Sequence, residues 1–153
     1  MAPSLFVRFG MRANYPLVGV GAVIWRDDTL LLIRRGKPPK TDEWSIPGGR
    51  QEVGETVAAA VLREVMEETD LEVEILGLID VVDAIFPGEA DGMHYTIIDF
   101  SARWVAGEAR AGSDATAVLW IPLHQLPQFE MWSETRRIIE MSARMHGPLA
   151  ASR

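Results

Sequence analysis

The stretch LREVMEETDL, Leu62 to Leu71, crowds three glutamates and an aspartate around one arginine, inside an apolar pattern. On a helix turning about 100° per residue, Glu64 and Glu68 stand one turn apart on one face, with Glu67 beside them. They border the apolar stripe next to Val57 and Val61 instead of opposing it, where solvated charges normally go. Like charges at i,i+4 destabilise a helix by about 0.2–0.5 kcal/mol per pair. The helix dipole also disfavours anions in the last turns. Broken local rules of this kind tend to mark functional sites, and a divalent cation would compensate the charge. Oxygen-only ligands, with no Cys or His nearby, suit Mg²⁺ or Mn²⁺ better than Zn²⁺. The bland alternative is a solvated acidic helix face.

The distribution of charge favours the cation. Between Glu52 and Glu74 eight acids and one arginine give a local charge of −7, which is the whole net charge of the chain. One anionic site, not a generally acidic surface, would attract cations. No basic face suited to duplex nucleic acid is visible. A length of 153 residues with 48% hydrophobic content fits one domain with a substantial core. Residues 1–16 read as an N-terminal extension or edge strand, and 147–153 as a frayed tail. With no cysteine there is neither a disulfide frame nor a thiolate metal site. No apolar run approaches the roughly 18 residues of a membrane span, and the N-terminus lacks a sustained signal-peptide core. The expectation is a soluble, cytoplasmic protein with no membrane partner.

The elements that must position these acids follow from pattern. LVGVGAVIW (17–25) reads as a strand, RDDT as a turn, and LLLIRR (30–35) as the returning strand. Two prolines and polar residues make 36–44 a loop, and SIPGGRQEVGE continues it as a glycine-rich connection. Periodicity predicts a helix over 55–69, with Val57, Ala58, Val61, Leu62 and Val65 on one stripe. Residues 71–86 form a long strand interrupted at Gly77, 94–105 another, and 116–122 a short one followed by a single turn, LHQL. A final amphipathic helix, 133–145, turns Ile138, Ile139, Met141, Ser142 and Met145 towards the core. Strands and helices in this order suggest an α/β fold, an α/β/α sandwich with a mixed sheet. There is no GxGxxG or Walker pattern, which disfavours a dinucleotide or P-loop reading.

Counted from Gly49, the chain reads glycine, five residues, Glu55, seven residues, then Arg63-Glu64-Val65-Met66-Glu67-Glu68-Thr69-Asp70-Leu71. This resembles the box of the Nudix hydrolase family, G-x5-E-x7-R-E-U-x-E-E-x-G-U, with U aliphatic. Gly49, Glu55, Arg63, Glu64, Val65, Glu67, Glu68 and Leu71 match, and only Asp70 departs. The resemblance extends more weakly from about Tyr15 to Leu126. Asp70 stands where the box has glycine, just past the helix. It is expected to end the helix in a left-handed conformation and not to bind metal.

The resemblance implies roles. Glu64 and Glu68 would be the main Mg²⁺ ligands (Mn²⁺ a substitute), with Glu67 a further ligand or base and the Gly48 carbonyl completing the shell. Arg63 would project away from Glu64 and fork onto Glu55, holding loop to helix. The family cleaves a nucleoside diphosphate linked to another moiety by attack of water. Its general base varies. The candidates here are Asp114, Glu108, Glu89 and Asp91, with Asp114 favoured; an ordinary loop acid is the bland reading of each. Arg34 and Arg35, with Lys37 and Lys40 near them, are candidates for binding phosphate, against solvated loop cations as the bland reading, and Trp44 for packing against the site or a base, against a core or lid role. His94, His124 and His146 read as structural. Pro87, 16 residues after Leu71, matches the proline that ADP-ribose hydrolases of the family carry, so ADP-ribose or a related compound is the expected substrate. A (deoxy)nucleoside triphosphate pyrophosphatase clearing damaged nucleotides is the runner-up. A nucleotide-sensing module without activity would be expected to lose box glutamates, and none is missing. The apolar patch from Leu5 to Phe9 could pack on a second copy in a homodimer, or form an edge strand.

Overall fold

The computed structural model describes residues 15–38, 40–87, 93–112 and 114–151. Strand β1 (Leu17–Arg26) is its axis. Along one side β1 runs parallel to β6 (Met93–Ala106), from Leu17 opposite Tyr95 to Trp25 opposite Arg103. Its other side is shared. The far end pairs with β2 (Thr29–Arg35) across the turn at Asp27-Asp28, and the near end pairs antiparallel with β4 (Gly48–Arg50). β3 (Trp44–Ser45) and β7 (Ala115–Pro122) flank β2, and β5 (Glu72–Phe86) pairs antiparallel with β6. The sheet is therefore mixed, as expected, and β2 and β4 diverge from the same side of β1.

Alternation along β1 separates two cores. Val20, Ala22 and Ile24 pack with Ala60, Val61 and Val65 of helix α1 (Val57–Thr69). Val23 and Trp25 pack on the opposite face with Ile138, Ile139 and Ala143 of helix α2 (Ser133–Met145). One helix on each face completes the α/β/α sandwich. A buried polar chain ties the second layer down. Trp25 Nε1 donates to Ser142 Oγ at 2.9 Å, Ser142 and Ser101 share a hydrogen bond of 2.6 Å, and His146 Nδ1 lies 2.9 Å from Ser101 Oγ. That accounts for His146 as a structural residue.

The structure revises several expectations. Ala58 and Leu62 are exposed, and Ala60 takes their place on the buried stripe. Glu64 and Glu68 consequently lie nearer the middle of the inward face than its border. In α2, Met145 is exposed and Ala143 is buried instead. The interruption at Gly77 is a register shift between Ile75 and Gly77, one of three in β5. A Cβ at Gly77 would lie 2.8 Å from His146 Nε2, so glycine there makes room for the ring. The turn LHQL is a 3-10 helix, Leu123–Gln128, and 148–151, read as frayed, form a short helix, α3 (Pro148–Ala151). The patch from Leu5 to Phe9 lies outside the described residues. No helix among the described residues is long and apolar enough to cross a membrane.

Helix α1 begins at Thr56, whose hydroxyl accepts from the Ala59 N–H at 3.0 Å. It ends at Asp70, with φ 62° and ψ 25°, whose N–H donates to the Met66 carbonyl at 2.9 Å. A left-handed aspartate costs about 1–2 kcal/mol that glycine avoids, partly offset by the greater freedom of glycine in the unfolded chain. Asp70→Gly is expected to stabilise the protein by about 0.5–1 kcal/mol, read from the denaturant midpoint. A lower midpoint would show that the aspartate side chain contributes to the cap.

Candidate active site

The loop before α1 and the inward face of α1 form one unit, and Arg63 joins them. Its Nε donates to Glu55 Oε2 at 3.0 Å and its Nη2 to Glu55 Oε1 at 2.6 Å, a two-pronged fork. Nη2 also donates to the Arg50 carbonyl at 2.9 Å. This bonding, with the Glu52 N–H donating to Glu55, holds the Glu55 carboxyl below its ordinary range. The expectation that Arg63 turns away from Glu64 is corrected. Its Nη1 donates to Glu64 Oε1 at 2.9 Å and to Glu67 Oε2 at 3.1 Å. The long side chain bends so that one guanidinium serves three carboxylates.

Those carboxylates differ in environment. Glu67 is 59% exposed. Glu68 is 9% exposed. Burial pushes its carboxyl up to about 7, against the Gly48 N–H, which donates to Oε2 at 2.9 Å and favours the charged form. The Glu64 carboxyl is also raised, first by burial and then by nearby acids, although Arg63 opposes this. It lies directly over Gly49. A Cβ on Gly49 would come within 2.2 Å of Glu64 Cδ, so only glycine lets the loop approach this closely. Gly48 touches the site through its N–H.

Half-buried Glu64 and buried Glu68 lie a turn apart with both carboxyls raised by burial, although Arg63 acts on the first and Arg35 on the second. A hard divalent cation fits this all-oxygen set, and Glu67 and the Gly48–Gly49 backbone are near enough in the fold to assist. In the side-chain positions described, Arg63 holds oxygens of Glu64 and Glu67, and no three acids or histidines among the described residues converge as a ready cage.

Asp114 reaches the same place from β7's approach loop. The Arg110 N–H donates to the Thr69 carbonyl at 2.9 Å and the Gly112 N–H to the Glu68 carbonyl at 2.8 Å. These bonds satisfy carbonyls that the end of α1 leaves open. They bring Asp114 close enough to raise both Glu64 and Glu68 electrostatically. Its carboxylate pairs with Lys37 at 2.5 Å. Asp114 and Glu108 are both exposed and outside the cavity described below, and Glu89 and Asp91 lie outside the described residues.

A cavity of about 260 Å³ opens where β2 and β4 diverge from β1. At one end lie Glu68, Gly48, Gly49 and Arg35. At the other are Phe86, Tyr95 and Trp132, with Phe86 and Trp132 in edge contact at 5.2 Å between ring centroids. Trp44 lines the wall and stacks edge-on against Phe129 at 5.3 Å, which combines core and site roles. Arg34 does not line the cavity. It alternates to the other face of β2 and donates to the Asp42 carbonyl at 3.2 Å. Sequence reasoning passed over Asp99, 5% exposed and part of the cavity lining. Its signal was a charged residue amid the apolar run of the strongest strand.

The comparisons with known proteins agree with this architecture. The NUDIX domain profile matches residues 16–141. The chain belongs to the NUDIX family, and its fold is that of a Nudix hydrolase domain. An ADP-ribose pyrophosphatase from Methanocaldococcus jannaschii is 36% identical over 114 residues, 74% of this chain and 66% of the relative. A putative 8-oxo-dGTP diphosphatase 2 from Mycobacterium tuberculosis is 32% identical over 139 residues, 88% of this chain and 93% of the relative. The crystal structure of a MutT NUDIX hydrolase from Burkholderia pseudomallei superposes with a TM-score of 0.75 at 36% identity, covering 84% of this chain and 98% of that one. The chain spans two thirds or less of the archaeal relative and of two further curated relatives, 66%, 40% and 60% of their lengths.

A raised carboxyl loses stability as it ionises. Below about pH 4.5 Glu68 is neutral whether folded or unfolded, and the cost grows as pH rises towards its folded value of about 7. With metal chelated, Glu68→Gln is expected to melt a few degrees above the wild type at pH 8, the gap closing near pH 4.5. Added Mg²⁺ should raise the wild-type midpoint more than that of the variant. Parallel curves at all pH values and equal Mg²⁺ responses would remove Glu68 from the metal set.

Proposed function

We propose that the protein is a Mg²⁺-dependent hydrolase of a nucleoside diphosphate linked to another moiety, with ADP-ribose or a related compound as substrate. The observation that carries this is the single cavity that joins an aromatic end, suited to a base, to an end built for phosphate and metal. The family supports the reaction class. The named ADP-ribose pyrophosphatase relative supports the substrate, as does Pro87, next to the cavity residue Phe86.

Glu64 and Glu68 would hold the metal, with Glu67 and the Gly48 carbonyl as further ligands. When bound, Mg²⁺ neutralises phosphate charge and acidifies coordinated water. Arg35 binds a phosphate oxygen at the same end of the cavity. Asp114, which pairs with Lys37, orients the attacking water and takes its proton. Glu67 is the second candidate for this step, although its oxygen is occupied by Arg63. Arg63 and Glu55 are positioning residues that fix the loop over the helix. Trp44 bounds the substrate. The product is a nucleoside monophosphate and the phosphorylated remainder. Partners beyond the small-molecule substrate are limited in this reading to a second copy of the chain, in a homodimer, and the working compartment is the cytoplasm.

A second reading is hydrolysis of oxidised (deoxy)nucleoside triphosphates, which the nearly full-length match to the putative 8-oxo-dGTP diphosphatase favours. A panel of ADP-ribose, sugar nucleotides, dinucleoside polyphosphates and normal and oxidised dNTPs, assayed with Mg²⁺, separates the two. ADP-ribose should give the highest kcat/KM. Preference for an oxidised triphosphate would transfer the assignment to the second reading, and no product from any compound would refute both. Glu68→Gln should lower kcat about 100-fold or more with the fold intact.

A further inference from the structure

One row of residues crosses four strands at the phosphate end of the cavity. Gly48 of β4 stands opposite Gly21 of β1, Gly21 opposite Asp99 of β6, and Asp99 opposite Asp80 of β5. Asp99 shares the face of Gly21, the side of the sheet on which Val23 and Trp25 pack against α2. A Cβ at Gly21 would lie 2.2 Å from Asp99 Oδ1 and 3.3 Å from Ile46 Cδ1. The carboxyl therefore leans over Gly21 towards β4, beside the segment that leads from Ile46 into Gly48. Neighbouring strands are about 4.8 Å apart, so it ends about one strand spacing from Gly48. The aromatic end is further off. The next rows along the floor pair Ile97 with Gly19 and Val82, then Tyr95 with Leu17 and Ala84. At about 3.3 Å per residue, Tyr95 lies about 13 Å along β6 from Asp99.

Asp99 is 5% exposed and lines the cavity, and among the described residues its carboxyl makes no hydrogen bond and no ion pair. Arg137, on its β5 flank, is committed to Asp80 and Glu134. A buried carboxyl left without a partner is costly, and its open flank, over Gly21, faces the cavity. The chemistry of that position narrows what can meet it. A phosphate would be repelled by the acid. A metal is served from α1, on the other face of the sheet, and no three acids or histidines converge here. A base held between Phe86 and Trp132 is too distant. A diphosphate at Gly48 and Arg35, with its nucleoside running to the aromatic end, has a second side still to place. A sugar there presents vicinal hydroxyls at about the reach of one furanose ring. An ionised carboxylate accepts from both hydroxyls, and a neutral one accepts from one and donates to the other. Acids bind ribose hydroxyls in this way in dinucleotide sites.

We propose that Asp99 binds the hydroxyls of a sugar joined to the diphosphate on the side away from the base, so that the site takes nucleoside diphosphate sugars in preference to nucleoside triphosphates. This rests on reading the cavity as a nucleoside-diphosphate site with the base at its aromatic end, and it names the other moiety. A triphosphate in the same pose would bring its last phosphate, in place of a sugar, against the carboxyl.

Equilibrium binding to the full chain with Mg²⁺ tests this. The probes are the α,β-methylene analogues of ADP-ribose, ADP and ATP, which resist hydrolysis. They are titrated against tryptophan fluorescence, to which Trp44 and Trp132 in the cavity wall contribute. The wild type should bind the ADP-ribose analogue about tenfold or more tighter than the ADP analogue, and tighter than the ATP analogue. Asp99→Asn should shrink the first preference about tenfold, leave ADP-analogue binding within twofold, and melt no lower than the wild type. Gly21→Ala, whose methyl group displaces the same carboxyl, should shrink the preference in the same direction. Equal binding of the ADP-ribose and ADP analogues by the wild type overturns the proposal, as does tighter binding of the ATP analogue. So does a preference that survives in Asp99→Asn. A parallel fall in ADP-analogue affinity, or a lower melting point, marks a structural role and also overturns it. If wild type hydrolyses ADP-ribose while Asp99→Asn keeps the preference, this proposal alone fails. If no compound of the hydrolysis panel is cleaved while the sugar-dependent preference holds, the enzymatic reading alone fails.

Discussion

One guanidinium sets the geometry of the site. Arg63 meets Glu55, Glu64, Glu67 and the Arg50 carbonyl from a single planar fork. The planar shape matters, because an ammonium in its place could not hold both oxygens of Glu55 and still serve the helix. Through this group the loop carrying Gly48 and Gly49 is fastened over α1. The Gly48 N–H then reaches Glu68, and the Glu64 carboxyl fits against Gly49. Glu64 and Glu67 are thus held by Arg63 directly, and Glu68 by the loop that Arg63 fastens. Even so, one cation cannot neutralise three carboxylates, and the remaining negative charge would favour a metal ion there.

The sheet supplies the second half of the site by omission. β1 gives its full length to β6 on one side but divides the other between β2 and β4, and the gap between them is the cavity mouth. Gly19 and Gly21 withhold side chains on the α2 face at that point, whereas Val23 and Trp25 further along the same row fill the core. One strand therefore builds a hollow at its start and a packed layer at its end. The change needs only a change in side-chain size along a single alternating row.

Much of this could be read in the chain because local rules dictated it. Spacing placed Glu64 and Glu68 together, glycine in the box signalled close approach, and the left-handed stop at Asp70 followed from its place after the last helical turn. What escaped was set by contacts distant in sequence. Leu62 looked buried by periodicity, but the sheet lies against Ala60 and Val61 instead. The curl of Arg63 onto Glu64 depends on where the loop returns, and the bulge at Gly77 on a histidine 69 positions later, His146. Arg34 and Arg35 were equivalent until strand alternation sent one outwards and the other into the cavity. Asp99 could not be weighed at all without knowing that Gly21 stands beside it.

The tie between the β6–β7 loop and the end of α1 is made by backbone N–H groups, from Arg110 to Thr69 and from Gly112 to Glu68. Main-chain bonds of this kind do not depend on which side chains the loop carries, apart from the glycine needed at 112, where a Cβ would lie 2.4 Å from the Glu67 carbonyl. The loop can therefore exchange residues and still deliver an acid to the same point beside the helix. Over evolutionary time such an anchorage separates two things that are usually inherited together. Under the proposed hydrolysis, the place from which a proton is taken would stay fixed by the fold, while the residue that takes it would be free to change.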